Sequence, residues 1–235
     1  MPAEEIDDLS SGNPDEESGL LGQNSKKKIE ETFLWMFFHW SGFFLGGSTF
    51  VAGTSLYFFP DLTYGGEWSA GLYTLGSFGF LMVDVIEFFT FTEIFILRAN
   101  ISCSLIGSLF YVIGSIGFFP EIYNVTDIIG IWGFIVGSFF IGCSQLWKTY
   151  RIGKGTRECF EISNLCADVD SCTQVGVELN AGFGGWCFFV GTLMYLHGPL
   201  EGPWYFDVLC IWTAGSLFFL LGSLFLGYRH WIMKV

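Results

Sequence analysis

Six apolar stretches follow one another along this chain, at 33–59, 68–91, 101–119, 128–147, 181–196 and 208–228, joined by short polar connections. A helix rising 1.5 Å per residue needs about 20 apolar residues to cross the hydrocarbon of a bilayer. The pattern predicts an all-α integral membrane protein with six transmembrane helices. The fifth stretch is the shortest, and the second carries Asp84 and Glu87, which puts its end near the interface. Composition agrees. Only 14% of the residues are charged, against about 25% in a soluble domain. The 28 Phe suit lipid-facing surfaces, and the 31 Gly suit close helix packing.

Charge divides the connections into two sets. Lys26, Lys27 and Lys28 precede the first stretch, and Arg98 lies between the second and third. Lys148, Arg151, Lys154 and Arg157 follow the fourth, and Arg229 and Lys234 follow the sixth. The other three connections hold no Lys or Arg; they carry Asp61 and Glu67, Glu121 and Asp127, and Glu201 and Asp207. Basic residues favour the cytosolic side, so both termini are expected in the cytosol. The acidic loops read as solvated turns, or as a cation-attracting rim. Asn124-Val-Thr is a glycosylation sequon on that opposite side, close to the membrane.

Residues 1–31 form a separate regime, acidic and rich in Ser and Gly, with too few bulky side chains to bury a core. No apolar region follows a basic N-terminus, so the segment does not read as a signal peptide. Within it Glu16, Leu20 and Leu21 match an acidic dileucine pattern, which would recruit sorting adaptors; the expected location is an endosomal or vacuolar membrane, or the plasma membrane. The net charge of −13 argues against nucleic acid as a partner. The remaining partners expected are the bilayer and, through the helices, a second copy or other membrane proteins.

The apolar stretches repeat. "GGSTFVAGTSLYFFP" at 46–60 aligns with "IGSLFYVIGSIGFFP" at 106–120, and "GSFFIGCSQLWKTYR" at 137–151 aligns with "GSLFFLLGSLFLGYR" at 215–229. The chain therefore reads as three helical hairpins, 33–91, 100–151 and 178–229, with a cytosolic loop at 152–177. Gly-Ser pairs seven residues apart fall on one helix face, because seven residues are nearly two turns. Gly47, Ser48, Gly107, Ser108, Gly114, Ser115, Gly137, Ser138, Gly215, Ser216, Gly222 and Ser223 are expected to form a helix-packing seam, extended by Gly42-x3-Gly46 and Gly133-x3-Gly137. The alignment also places Asp84, Gln145 and Ser223 at one register of the even stretches, and Ser55, Ser115 and Thr192 at one register of the odd ones.

Asp84 is the ionisable member of that series, and a carboxylate within a span is expensive enough to be a functional candidate. His39 and Glu87 are expected at similar depth, so Asp84, Glu87 and His39 form a candidate ion or proton site. His39 either pairs with Asp84 or sits at the interface beside Trp35 and Trp40.

The phrases "LIGSLFYVIGSIGFFP" and "GIWGFIVGSFFIGCSQLWKTYR" resemble the YrhK-like membrane domain, a module of two transmembrane helices. Residues 100–151 carry the match, and the flanking hairpins look like degenerate copies. The resemblance implies fold and membrane location and transfers no functional residue.

Among sequence motifs of enzymes, GxSxG, HExxH, phosphate-loop and dinucleotide-binding phrases are missing. The three histidines, His39, His197 and His230, are spread along the chain, and the seven cysteines lack CxxC spacing. No catalytic residue, cofactor site or metal site is assigned. Cys159, Cys166 and Cys172 share one polar loop and read as free thiols, with metal ligation or acylation as alternatives. The first expectation is a non-enzymatic structural or interaction role. The alternative is a proton or cation transporter or channel using the site around Asp84.

Overall fold

The computed structural model describes residues 32–59, 61–91, 95–155, 159–198 and 201–234. The tail with Glu16, Leu20 and Leu21 lies outside the described residues, as do Pro60 and Arg157. The described residues form helices and connections, with no strand. Six helices are long: α1 (Phe33–Leu56), α2 (Gly65–Thr90), α3 (Phe95–Gly117), α4 (Ile128–Lys154), α5 (Val169–His197) and α6 (Gly202–Gly227). One-turn helices at Pro120–Tyr123 and Ile162–Leu165 sit in connections, and a π-helical turn, Tyr228–Met233, continues α6.

Five of the long helices, α2 to α6, are long and apolar enough to cross a membrane. The 24 residues of α1 would span about 36 Å by length. The fifth helix is much longer than the stretch at 181–196. Asp168 caps it by accepting a hydrogen bond from the Ser171 backbone N–H at 2.7 Å, so residues 169–177 of the expected loop are helical. That bond, donated to the ionised carboxylate, holds Asp168 below its usual range.

Each helix packs against the next in sequence, and α6 returns to α1, so the six close into an up-and-down ring. Neighbours run antiparallel. Thr54 and Tyr73 meet near the α1–α2 turn, while His39 and Glu87 meet at the opposite ends of the same two helices. The ring thus has a turn end, with connections 57–64, 118–127 and 198–201, and a terminal end, where Phe33 and Met233 lie.

Glycine sets how closely some neighbours approach. A Cβ on Gly137 would lie 2.8 Å from the Gly107 carbonyl oxygen, and one on Gly114 would lie 2.8 Å from the Phe134 nitrogen. Contacts that short are excluded, so α3 and α4 meet backbone to backbone there. Lipid supplies no hydrophobic drive for this association, and close packing with interhelical hydrogen bonds takes its place. Tyr111 Oη and Ser138 Oγ bond at 3.0 Å, Ser77 and Ser115 bond at 2.9 Å, and Thr54 bonds both Tyr73 and Ser216 at 2.7 and 2.9 Å. Asn100 and Ser144 clasp α3 to α4 reciprocally, each donating to the other's helix.

One seam expectation, Ser48, and one register expectation, Ser55, are corrected. Ser48 is half-buried and donates to the Leu45 carbonyl of its own helix, while its neighbour Thr49 is buried. Ser55 likewise turns back to Val51, and Thr54 is the buried hydroxyl comparable to Ser115 and Thr192. The packing explains the one-residue offset. Phe50, four residues before Thr54, must point to the ring axis, and that choice rotates Ser48 and Ser55 outward.

Phe50 is the hub of the core. Its ring lies 4.9 to 6.2 Å from those of Tyr73, Phe80, Tyr111, Phe134, Phe188 and Phe219, which come from all five other long helices. Phe50 is fully buried and the other six are at most 6% exposed, so they plug the ring axis.

Candidate functional site

Between this plug and the terminal end the ring encloses a cavity of about 360 Å³. Phe43, Phe80 and Phe219 line it on the plug side, while Asp84, Glu87, Gln145, Lys148 and Glu178 bring polar groups from α2, α4 and α5. Spacing along the helices produces the convergence. Asp84 and Glu87 are three residues apart on one face of α2, and Gln145 and Lys148 are three apart on one face of α4.

The charged groups are organised around Glu87. His39 Nε2 lies 3.1 Å from Glu87 Oε1, and Lys148 Nζ donates to Glu87 Oε2 at 2.9 Å. Lys148 also lies 3.9 Å from Glu178 Oε2. His39 Nδ1 faces His230 Nε2 at 3.0 Å, and the indole of Trp35 stacks on the His39 ring at 4.5 Å between centroids. One arrangement with both imidazoles neutral satisfies the whole chain. His230 Nε2–H donates to His39 Nδ1, and His39 Nε2–H donates to Glu87. The π-helical turn after α6 contributes here, because it carries His230 inward to a buried position. Nearer the surface, Arg229 Nε donates to Asp170 Oδ1 at 2.8 Å and ties α6 to α5.

Asp84 lines the same cavity but is not hydrogen-bonded to that network. It is 5% exposed and accepts a short hydrogen bond from Ser108 of α3. Among the described residues no cationic nitrogen pairs with it. Its counterpart Gln145 is also buried, at 8% exposure, and Gln145 Oε1 has no hydrogen-bond partner. The third member of the register, Ser223, is buried and donates to the Leu220 carbonyl of its own helix.

Asp84, Glu87 and His39 do line one cavity, but their pairing differs from expectation. His39 is bonded to Glu87 and His230, and both its ring nitrogens are occupied, so a His39–Asp84 pair does not form. Lys148 was legible only as a charge following the fourth stretch, His230 only as one of three scattered histidines, and Glu178 was not singled out at all. Gln145 was visible through its alignment with Asp84. No group of three or more His, Cys, Asp or Glu arranged to hold a metal ion occurs among the described residues. Cys159, Cys166 and Cys172 are exposed free thiols. Comparison of the chain with family models, curated proteins and solved structures found no match.

Proposed function

We propose that this chain is a six-span membrane protein that takes a proton or small cation from the cytosolic side into the cavity around Asp84. The observation carrying this reading is the charge-lined cavity, in which Asp84 is buried without an ion-pair partner among the described residues. A helix assembly serving packing alone has no need of it, because each ionisable group inside a membrane is costly. Three carboxylates, Asp84, Glu87 and Glu178, face Lys148 and the outlying Arg229, which is already bound to Asp170. The surplus is negative and suits a positive guest. The hydrogen-bonded chain from His230 through His39 to Glu87 offers a route for protons along the cavity wall.

The sixth crossing is assigned to α1. It packs antiparallel along α2 and along α6, both apolar enough to span, and its Phe50 occupies the ring axis. Lys148, Arg151, Lys154, Arg229 and Lys234 gather at the terminal end, which supports a cytosolic position for it. The three antiparallel pairs and the aligned phrases support descent from one helical hairpin, resembling the YrhK-like domain. A scaffold or interaction role is the second reading, and the aromatic plug favours it, because the plug closes the axis toward the turn end. Transport would require those rings to part.

Purified protein in liposomes, with proton and sodium flux followed under an imposed gradient, separates the two readings. Flux that is abolished by Asp84→Asn supports uptake at this cavity. Flux absent in the unaltered protein, or indifferent to Asp84→Asn, leaves the scaffold reading. Labelling of Cys159, Cys166 and Cys172 by an impermeant thiol reagent tests orientation, with labelling expected from the cytosolic side alone.

A further inference from the structure

Three properties of the cavity exceed what a bare ion needs. The first is size. At about 360 Å³ the cavity falls within the range of small-molecule pockets, roughly 300–1,000 Å³. The second is the division of its walls. Phe43, Phe80 and Phe219 present aromatic surface on the plug side, and Asp84, Gln145 and Glu178 present oxygen acceptors lower down. The third is Gln145. Its Oε1 is buried with no donor, at the helical register that Asp84 occupies on α2. A buried acceptor left unpaired costs about 1–3 kcal/mol. Gln145 also lines the cavity, so a rotation of its amide would bring that oxygen to a donor from a guest.

We infer that the cavity binds a small organic amine, with its ammonium held by Asp84 and Gln145 and its apolar body against the aromatic wall. The inference rests on the cation-uptake reading and names the class of cation. A primary ammonium has three N–H donors. One pairs with the Asp84 carboxylate, which makes no ion pair among the described residues. A second meets Gln145 Oε1. The carbon skeleton then lies against Phe43, Phe80 and Phe219, where ring faces attract positive charge and burial favours apolar surface. A metal ion would leave most of the volume and the aromatic wall unused. A quaternary ammonium would fill the space but could not donate to Gln145. The Lys148–Glu87–His39 network already satisfies its own members, so it borders the site without competing for the guest.

Isothermal titration of the full-length protein in lipid nanodiscs tests the assignment. The probes are 2-phenylethylamine, n-hexylamine, the neutral isostere 2-phenylethanol, tetramethylammonium and sodium chloride. Saturable binding is expected for at least one primary amine, with 2-phenylethanol and tetramethylammonium at least tenfold weaker. Asp84→Asn is expected to weaken the amine tenfold or more, and Gln145→Met several-fold. The melting temperature of each unliganded variant is measured alongside. If Asp84→Asn does not fold, Gln145→Met decides. The inference is overturned if neither amine binds, if the alcohol or tetramethylammonium binds as well as the amines, or if the folded variants bind unchanged. Flux of protons or sodium dependent on Asp84, without amine binding, would remove this inference and leave cation uptake standing. Amine binding without any flux would retain the site and remove transport.

Discussion

The two halves of the ring are made from the same six helices and solve opposite problems. Toward the turn end, Phe50 and six rings around it fill the axis completely. The polar groups there are hydroxyls that bond one another, such as Ser77 with Ser115 and Tyr111 with Ser138. Toward the terminal end the axis is open, and its walls carry carboxylates, a lysine and histidines. Dispersion and burial stabilise the first half. In the second, ionic and hydrogen-bonded pairing only offsets the cost of desolvating charge. The contrast teaches where evolution could place chemistry in this architecture: in the half that the core does not need.

Replacing the hub tests the contrast most severely. Phe50→Ala removes one ring from a cluster drawn from every other long helix, and large aromatic truncations of this kind cost roughly 3–5 kcal/mol. The expected result is a large fall in unfolding midpoint in detergent, while the solution pairing at the terminal end gives no compensation. A midpoint unchanged within error would mean that the plug is not the core.

On the other side, Lys148→Met leaves Glu87 and Glu178 buried without their cation, a loss on the order of 3 kcal/mol for groups this enclosed. The double variant Glu87→Gln with Lys148→Met should recover part of that loss, because Glu87 is then neutral while Glu178 still lacks its cation. A double-mutant cycle measures the coupling, and strict additivity would break the claim that the two act as a pair.

Gly137→Ala probes the seam that joins the halves. Its methyl meets the Gly107 carbonyl oxygen, and overpacking of this kind costs about 1–3 kcal/mol. The same change at Gly71, where a Cβ meets nothing within 4 Å, should be neutral or slightly stabilising. Equal effects at both sites would dispose of the backbone-contact argument.

The smallest effect lies outside the ring, at the cap of α5. Asp168 is held below the usual carboxylate range by the Ser171 N–H, so the folded state binds its proton less readily. Its contribution is therefore present above the unfolded value and lost as pH falls through the lower folded value. Hydrogen exchange at the Ser171 amide should accelerate, relative to its intrinsic rate, in that acidic window. Asp168→Asn keeps a capping oxygen and should flatten the pH dependence.

Much of the fold was readable in advance. Apolar length and the charge of the connections gave helices and their alternation, and the Gly-Ser spacing located faces that do pack, as Gly107 against Gly137 shows. The candidate site was half readable. Asp84, Glu87 and His39 share a cavity, but their partners, Lys148, Glu178 and His230, come from other helices or from the π-helical turn. Nothing in local spacing states which distant residue faces Glu87.

What the chain's order of residues determines here is local and periodic: which segments are apolar enough to leave water, where a helix can begin, and which small residues share a face. Those follow from transfer free energies and from 3.6 residues per turn, which each segment carries by itself. Ring closure by α6 against α1, the choice of Thr54 over Ser55, and the separation of an aromatic plug from a charged cavity belong to the tertiary structure. They depend on how much volume each helix must fill at a shared axis, a quantity that exists only once all six are packed.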